Sequence, residues 1–331
     1  MLFSEVDRGA LAPITPWENL AWRAETESWI RAALAEHGRT PAAEGWRARV
    51  RRWSVLYEVP TFSRESTAGA AEPVWFKANP EASRFEAAVS WYLGREHPEH
   101  VLTPLAVDTE HGWTLLPDGG PVVRAALAAR GSTTVAGYVP VVQQYAEFQR
   151  AVSAERVVEL GVPQIGVKTL PETLEQIEAA GRALPPEERH LLDARLPDFA
   201  SWCHELAAAG MPDAVDHADL HDGQIFAPGH DGHHRFFDWG DAAVTHPFSS
   251  MLVTTRVVRR TGADAKDVAR LHDAYLEAWT GEYDRPALRE MLALACRIEA
   301  VARILVWNRL FPGNASGSSG WAGELTEARD F

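Results

Sequence analysis

The stretch from His217 to Asp241 interrupts an otherwise helical half of the chain with two short strand-like segments. Around it, segments near 137–153, 171–182, 187–209, 264–280 and 286–310 carry apolar residues three and four apart, the helical period. Inside it, Ile225-Phe226-Ala227 and Arg235-Phe236-Phe237 read as strands bracketing the turn Pro228-Gly229-His230-Asp231-Gly232. Such a hairpin presents Gln224 at its entry and Asp238 at its exit, on one edge. The fold must therefore accommodate a polar, β-type insertion within a mainly helical lobe.

The insertion carries oxygen-bearing side chains at fixed intervals: Gln224 follows Asp219 by five positions, and Asp238 comes fourteen after that. Moving a phosphoryl group from a nucleotide to an alcohol needs this inventory. One carboxylate must orient the hydroxyl and take its proton, and two hard oxygen ligands must hold Mg²⁺ against the triphosphate. Kinase catalytic loops keep base and metal-binding amide at this interval and follow them with Asp-Phe-Gly. Here Asp238-Trp239-Gly240 fills the last slot. Turn chemistry alone also clusters Asp and Gly, as at Asp118-Gly119, Asp222-Gly223 and Asp231-Gly232, so the weight rests on the joint occurrence and its flanking strands.

His217-x-Asp219-Leu220-His221-x-x-Gln224, followed by Phe237-Asp238-Trp239-Gly240-Asp241, resembles the aminoglycoside phosphotransferase family, also called the phosphotransferase-enzyme family. His221 and Trp239 point to its small-molecule branch, since protein kinases carry His-Arg-Asp and Asp-Phe-Gly. The resemblance implies an α+β, bilobal, protein-kinase-like fold, with a small antiparallel-sheet N-lobe and a mainly helical C-lobe. It also implies Asp219 as catalytic base, Gln224 and Asp238 as metal ligands, and Mg²⁺ with ATP or another nucleoside triphosphate as cofactors. The family usually has Asn where this chain has Gln224. His217 is expected to support the loop, and His221 and Asp241 either support it or contact substrate.

The first third supplies the rest of a nucleotide site. A tryptophan-rich helix from Trp17 to about Leu34 reads as a packing helix. A strand-forming run from Val50 to Val59, a polar stretch from Thr61 to Pro73 and the strand Val74-Trp75-Phe76-Lys77 form an antiparallel ribbon. The polar stretch offers only Gly69 where the kinase fold has a glycine-rich loop. Lys77 is one of only three lysines, with Lys168 and Lys266, and it closes an apolar strand as a phosphate-contacting lysine does. Asn79 as N-cap and Pro80 in the first turn predict a helix to Gly94. Within it Glu86 shares a face with Ala82, Val89 and Leu93, an unusual place for a carboxylate without a partner, which makes it the expected partner of Lys77.

Leu105-Ala106-Val107 and Trp113-Thr114-Leu115-Leu116 read as a hairpin, and Pro117-Asp118-Gly119-Gly120 as a boundary. The expected domains are 1–118, an N-terminal nucleotide-binding lobe, and 119–331, a helical lobe with the catalytic loop and substrate site. In the kinase fold the base of the nucleotide meets this connection, which assigns Leu116 and Asp118 to the nucleotide. Trp239 and Trp307, with Glu299 as cation partner, are candidate substrate contacts.

Composition narrows the partners. A net charge of −14 argues against nucleic acid and is compatible with a cationic small molecule. No apolar run approaches the ~18 residues of a membrane span, and the N-terminus lacks a signal-peptide layout. Cys203 and Cys296 make neither a metal spacing nor a disulfide framework, fitting a cytoplasmic setting. Two other readings compete: a metal-dependent hydrolase using His217, Asp219, His221 and Asp238, and a kinase-fold binding protein without turnover.

Overall fold

Seven strands of the first 120 residues form one sheet: β1 (Phe3–Asp7), β2 (Arg39–Pro41), β3 (Trp46–Val50), β4 (Val55–Ser63), β5 (Glu72–Ala78), β6 (Ala106–Asp108) and β7 (Trp113–Pro117). Their order is β1-β3-β4-β5-β7-β6, with β2 also paired to β4. β1 runs parallel to β3, and the remaining pairs are antiparallel. This is a computed structural model that describes residues 2–8, 17–63, 71–131, 135–179, 190, 193–194 and 196–310. Gly69, the segment 312–320 and Trp321 lie outside the described residues.

The chain divides into two compact units, Met1–Gly120 with Arg235–Gly240, and Pro121–His234 with Asp241–Phe331. In the first, strand alternation builds the core. Trp46, Ala48 and Val50 are buried on β3 while Arg47 and Arg49 point to water, and Val55, Tyr57 and Val59 are buried on β4. Helix α1 (Leu20–Glu36) covers the sheet through Trp22 and Trp29, whose rings meet Phe76 and Trp113 at 5.7–6.5 Å. It starts at Leu20 rather than Trp17 because Asn19 caps it, its Oδ1 accepting the Ala21 amide at 2.8 Å.

Two expectations need correction here. The run from Val50 to Val59 is not one strand. A turn at 51–54, closed by Arg51 N donating to Ser54 O at 2.9 Å, separates β3 from β4 and leaves Trp53 41% exposed. Nor does Asn79 cap a helix. A short turn at Glu81–Ser83 comes first, and helix α2 runs from Glu86 to Glu96 with no side-chain cap. Asn79 turns inward instead, donating to Ser83 O and to the Glu86 carboxylate, a stronger acceptor than a backbone carbonyl.

The second unit holds α3 (Val123–Ala129), α4 (Val139–Ala151), α5 (Ala154–Glu159), α6 (Leu170–Ala179), α7 (Leu196–Ala208), α8 (Met251–Arg260), α9 (Ala265–Leu276) and α10 (Arg285–Leu310). Of the strand segments expected around 225–237, β9 occupies Ile225–Phe226 and β10, grouped with the first unit, occupies Arg235–Phe236. β8 (Ala214–Asp216) and β11 (Ala243–Thr245), too short for a sequence signal, pair antiparallel and lead into and away from the polar insertion. No helix among the described residues is long and apolar enough to cross a membrane.

Gly94 on α2 marks a close approach. A Cβ there would lie 2.7 Å from both Leu102 O and Thr103 Cα, and Thr103 Oγ1 donates to Gly94 O at 2.5 Å. Backbone cannot give way as a side-chain tip can. Gly94→Ala should therefore cost about 1–3 kcal/mol by overpacking, read as a fall in melting temperature; an unchanged transition would refute this tight packing.

Candidate active site

Lys77 is the penultimate residue of β5, and strand alternation turns its side chain to the face opposite the core residues Val74, Phe76 and Ala78; only 11% of it is exposed. Its Nζ donates to Glu86 Oε1 at 2.8 Å and Oε2 at 2.6 Å, and also to Asp238 Oδ1. Burial works against the ammonium, but the Asp238 and Glu86 carboxylates outweigh it and raise its pKa above the usual lysine range. Burial pushes the Glu86 carboxyl upward, opposed by Lys77 and reinforced by Asp238. Glu86 is further held by Asn79 and by the Trp239 amide, which donates to Oε1 at 3.1 Å.

Asp238 reaches this ammonium from the segment 235–240 with φ at 70°, a left-handed conformation rare for a residue with a Cβ. Gly240 completes the triplet for a packing reason: a Cβ there would meet Glu86 Oε2 at 3.0 Å. The sequence-derived set Lys77, Glu86 and Asp238 is thus one hydrogen-bonded cluster in the first unit. Nearby in the same sheet, Leu116 pairs with Trp75, and Asp118 accepts the Trp75 indole N–H at 3.2 Å.

The second cluster is built on the loop after β8. Ala218, with φ at 61°, turns the chain left-handed just before Asp219. The Asp219 side chain is 28% exposed, 3.5 Å from His221 Nε2 and 3.8 Å from Arg303 Nη2. His221 Nδ1 accepts the Gly223 amide at 2.9 Å, so a neutral ring carries its proton on Nε2, the nitrogen toward Asp219. Arg303 also donates to Ala218 O. The Gln224 backbone N–H donates to His221 O at 2.8 Å, and the residue is partly exposed.

Asp222 anchors this loop. Its carboxylate accepts from Arg124 Nε at 2.9 Å and from Tyr138 Oη at 2.8 Å, while its carbonyl accepts the Arg124 amide at 3.0 Å. His217 is fully buried, and its amide donates to Tyr145 Oη at 3.1 Å. Asp241 is partly exposed and favours the charge of Arg309, whose pKa burial lowers.

The substrate candidates fare differently. Trp239 has no exposed surface and Glu299 is 6% exposed, because both fill their units' cores. Neither presents itself to a molecule arriving from solvent, which corrects that reading. Trp307 lies on α10, but its side chain falls outside the described residues. Among the described residues no three His, Cys, Asp or Glu side chains converge as a metal-holding group. Sequence reasoning missed Arg303, Arg124, Tyr138 and Asn79. Only Asn79 lies close enough in sequence to its partner to have been found.

No protein-family model matches the chain, and no curated protein matches it by sequence. Solved structures do. Aminoglycoside 2'-phosphotransferase-IIIa with GDP superposes at TM-score 0.57 and 15% identity, covering 93% of this chain and 99% of that one. Macrolide 2'-phosphotransferase MphH from Brachybacterium faecium gives TM-score 0.56 at 15% identity, over 91% and 97%. Choline kinase LicA from Streptococcus pneumoniae gives 0.54 at 10% identity, over 93% and 100%. The chain has the kinase-like fold of these small-molecule phosphotransferases. The expected α+β class is therefore correct.

The Asp222 anchor makes a quantitative prediction. Asp222→Ala strands a buried tyrosine hydroxyl and a guanidinium, and should cost about 1–3 kcal/mol, whereas Tyr138→Phe removes one donor and should cost about 1 kcal/mol. Thermal unfolding of both variants reads the difference; equal losses would show that Asp222 does not anchor the loop.

Proposed function

We propose that this chain is an enzyme that transfers the γ-phosphoryl group of a nucleoside triphosphate to a hydroxyl group of a small molecule. The observation that carries the reading is the buried Lys77–Glu86 pair with Asp238 on the same ammonium. A lysine held this way is a fixed point charge, suited to align phosphates. Asp238 and Gln224 offer the hard oxygens that Mg²⁺ prefers, a carboxylate and an amide carbonyl. When bound, the ion would neutralise charge on the phosphates.

Asp219 orients the acceptor hydroxyl and takes its proton. The proton on His221 Nε2 faces Asp219 Oδ2 and the Arg303 guanidinium faces Oδ1, and together they orient the carboxylate while leaving it partly exposed to the hydroxyl. Leu116 and Asp118 are assigned to the nucleotide. The donor is ATP or GTP, the latter favoured by the GDP complex of the aminoglycoside phosphotransferase. Asp219→Asn keeps the shape and removes the base, so kcat should fall on the order of 10²–10⁴-fold. Near-normal turnover in a folded Asp219→Asn protein would overturn the assignment.

The metal ligands are ranked by charge. Asp238→Ala should weaken Mg-nucleotide binding more than Gln224→Ala, because a carboxylate offers a full charge and an amide only a dipole. Calorimetric titration of Mg-ATP and Mg-GTP into both variants decides; a larger loss at Gln224 would reverse the ranking.

For the acceptor, the acidic surface supports an amine-bearing alcohol such as an aminoglycoside or amino sugar. Attraction of a cation to exposed acidic groups is screened over ~8–10 Å at physiological ionic strength. KM for such an acceptor should rise with added salt. A salt-insensitive KM for the best acceptor would assign the net charge of −14 to solubility alone.

A further inference from the structure

Behind the loop that carries Asp219 lies a fully buried polar network in the second unit. Asp216, the last residue of β8, is 1% exposed, and its Oδ1 accepts the Ser250 hydroxyl at 2.5 Å and the Ala218 amide at 2.9 Å. Since the one proton of Ser250 goes to the carboxylate, Tyr145 Oη, 3.0 Å from Ser250 Oγ, must donate to it. That leaves the Tyr145 oxygen to accept the His217 amide at 3.1 Å. Gln149 also donates to Ser250 Oγ at 3.3 Å and to Val215 O at 2.7 Å, and its own Oε1 accepts from Tyr275 Oη at 2.6 Å. The network thereby ties Asp216 to the two backbone amides that precede Asp219, Ala218 N directly and His217 N through Ser250 and Tyr145.

What this network grips is strained. An alanine at φ 61° costs about 1–2 kcal/mol relative to ordinary backbone, and such a conformation persists only where its surroundings over-determine it. Here both sides of the residue are held: the amide by Asp216 and the carbonyl by Arg303. The next turn is pinned as well, Thr254 Oγ1 donating to Leu220 O at 2.7 Å. Burial pushes the Asp216 carboxyl above its usual range, opposed by the Ser250 and Ala218 donors and by Arg303.

We infer that Asp216 and Ser250 are positioning residues that lock Ala218 in its left-handed conformation and thereby aim the Asp219 carboxylate. The inference rests on the role proposed for Asp219. It separates two functions that a sequence reader would merge in one polar run: Asp219 faces the reaction, whereas Asp216, three residues earlier, never meets solvent and acts only through the backbone.

The test uses the full chain and three variants, Ser250→Ala, Ala218→Gly and the double variant. Ser250→Ala removes one hydroxyl and should leave a folded protein. Its Mg-GTP or Mg-ATP turnover should fall about tenfold to a hundredfold through misplacement of the base, with nucleotide KM nearly unchanged. Amide exchange at Ala218 should quicken at least about tenfold. Glycine adopts positive φ without a Cβ penalty, so Ala218→Gly in the Ser250→Ala background should recover much of the lost turnover; a hydroxyl that merely stabilises the core gives no such recovery. Unchanged exchange at Ala218 in Ser250→Ala would overturn the inference whatever the turnover. A wild-type protein without Mg-dependent turnover would overturn the proposed function, and the exchange measurement would still decide whether Asp216 and Ser250 hold the loop.

Discussion

The charge of Lys77 must be neutralised inside the protein, and much of the first unit is arranged to do so. Taking an ammonium out of water costs several kcal/mol before any partner is found. Glu86 supplies two oxygens, Asp238 a third, and Asn79 and the Trp239 amide hold Glu86 in turn. Several local oddities follow. Asn79 gives up a helix cap, α2 starts without one, a Cβ at Gly240 would crowd the Glu86 carboxylate, and Asp238 adopts a left-handed backbone. Buried ion pairs contribute little net stability, while removing one partner costs about 3–5 kcal/mol. A cluster with this energetic profile is better explained by chemistry than by folding.

Under the proposed function the second unit meets a different problem, that of aiming a carboxylate from a loop. Asp219 keeps part of its surface open, while its backbone neighbours are bound on the interior side by Asp216, Tyr145 and Arg303 and further along by Thr254 and Asp222. Strain at Ala218 and rigidity around it are two aspects of one device. Among the described residues, the only non-glycine positions with positive φ are Ala218 and Asp238. One precedes the proposed base, and the other is the proposed metal ligand. Strained backbone of this kind gathers where geometry matters more than stability.

Much of this was legible in the sequence, for identifiable reasons. The helical period marked the long helices of the second unit, and strand alternation with a short turn marked β6 and β7. Lys77 and Glu86 could be paired because a carboxylate on an apolar helix face needs a partner. The misses share a cause. β1, β2, β8 and β11 span three to five residues and pair with strands that are not their sequence neighbours, so no hairpin turn marks them as it marks β6 and β7. The turn at 51–54 was hidden because Trp53 favours strands by type yet sits exposed. Arg303 lies 84 positions after Asp219, and nothing local to either marks the contact. Asp216 lies just outside the His217–Asp241 stretch, and only its burial, at 1% exposed, sets it apart from other acids.

The central claim is that the Lys77 cluster and Asp219 serve one phosphoryl transfer. Its most direct test follows radiolabel from γ-labelled ATP and GTP onto a panel of hydroxylated amines, with and without Mg²⁺, in the wild-type protein and in Lys77→Met. The account predicts labelled acceptor only when Mg²⁺ is present, and a loss on the order of 10²-fold or more in Lys77→Met, the scale of removing one positioned charge from a transition state. Transfer that proceeds equally well without Mg²⁺, or in Lys77→Met, would contradict it.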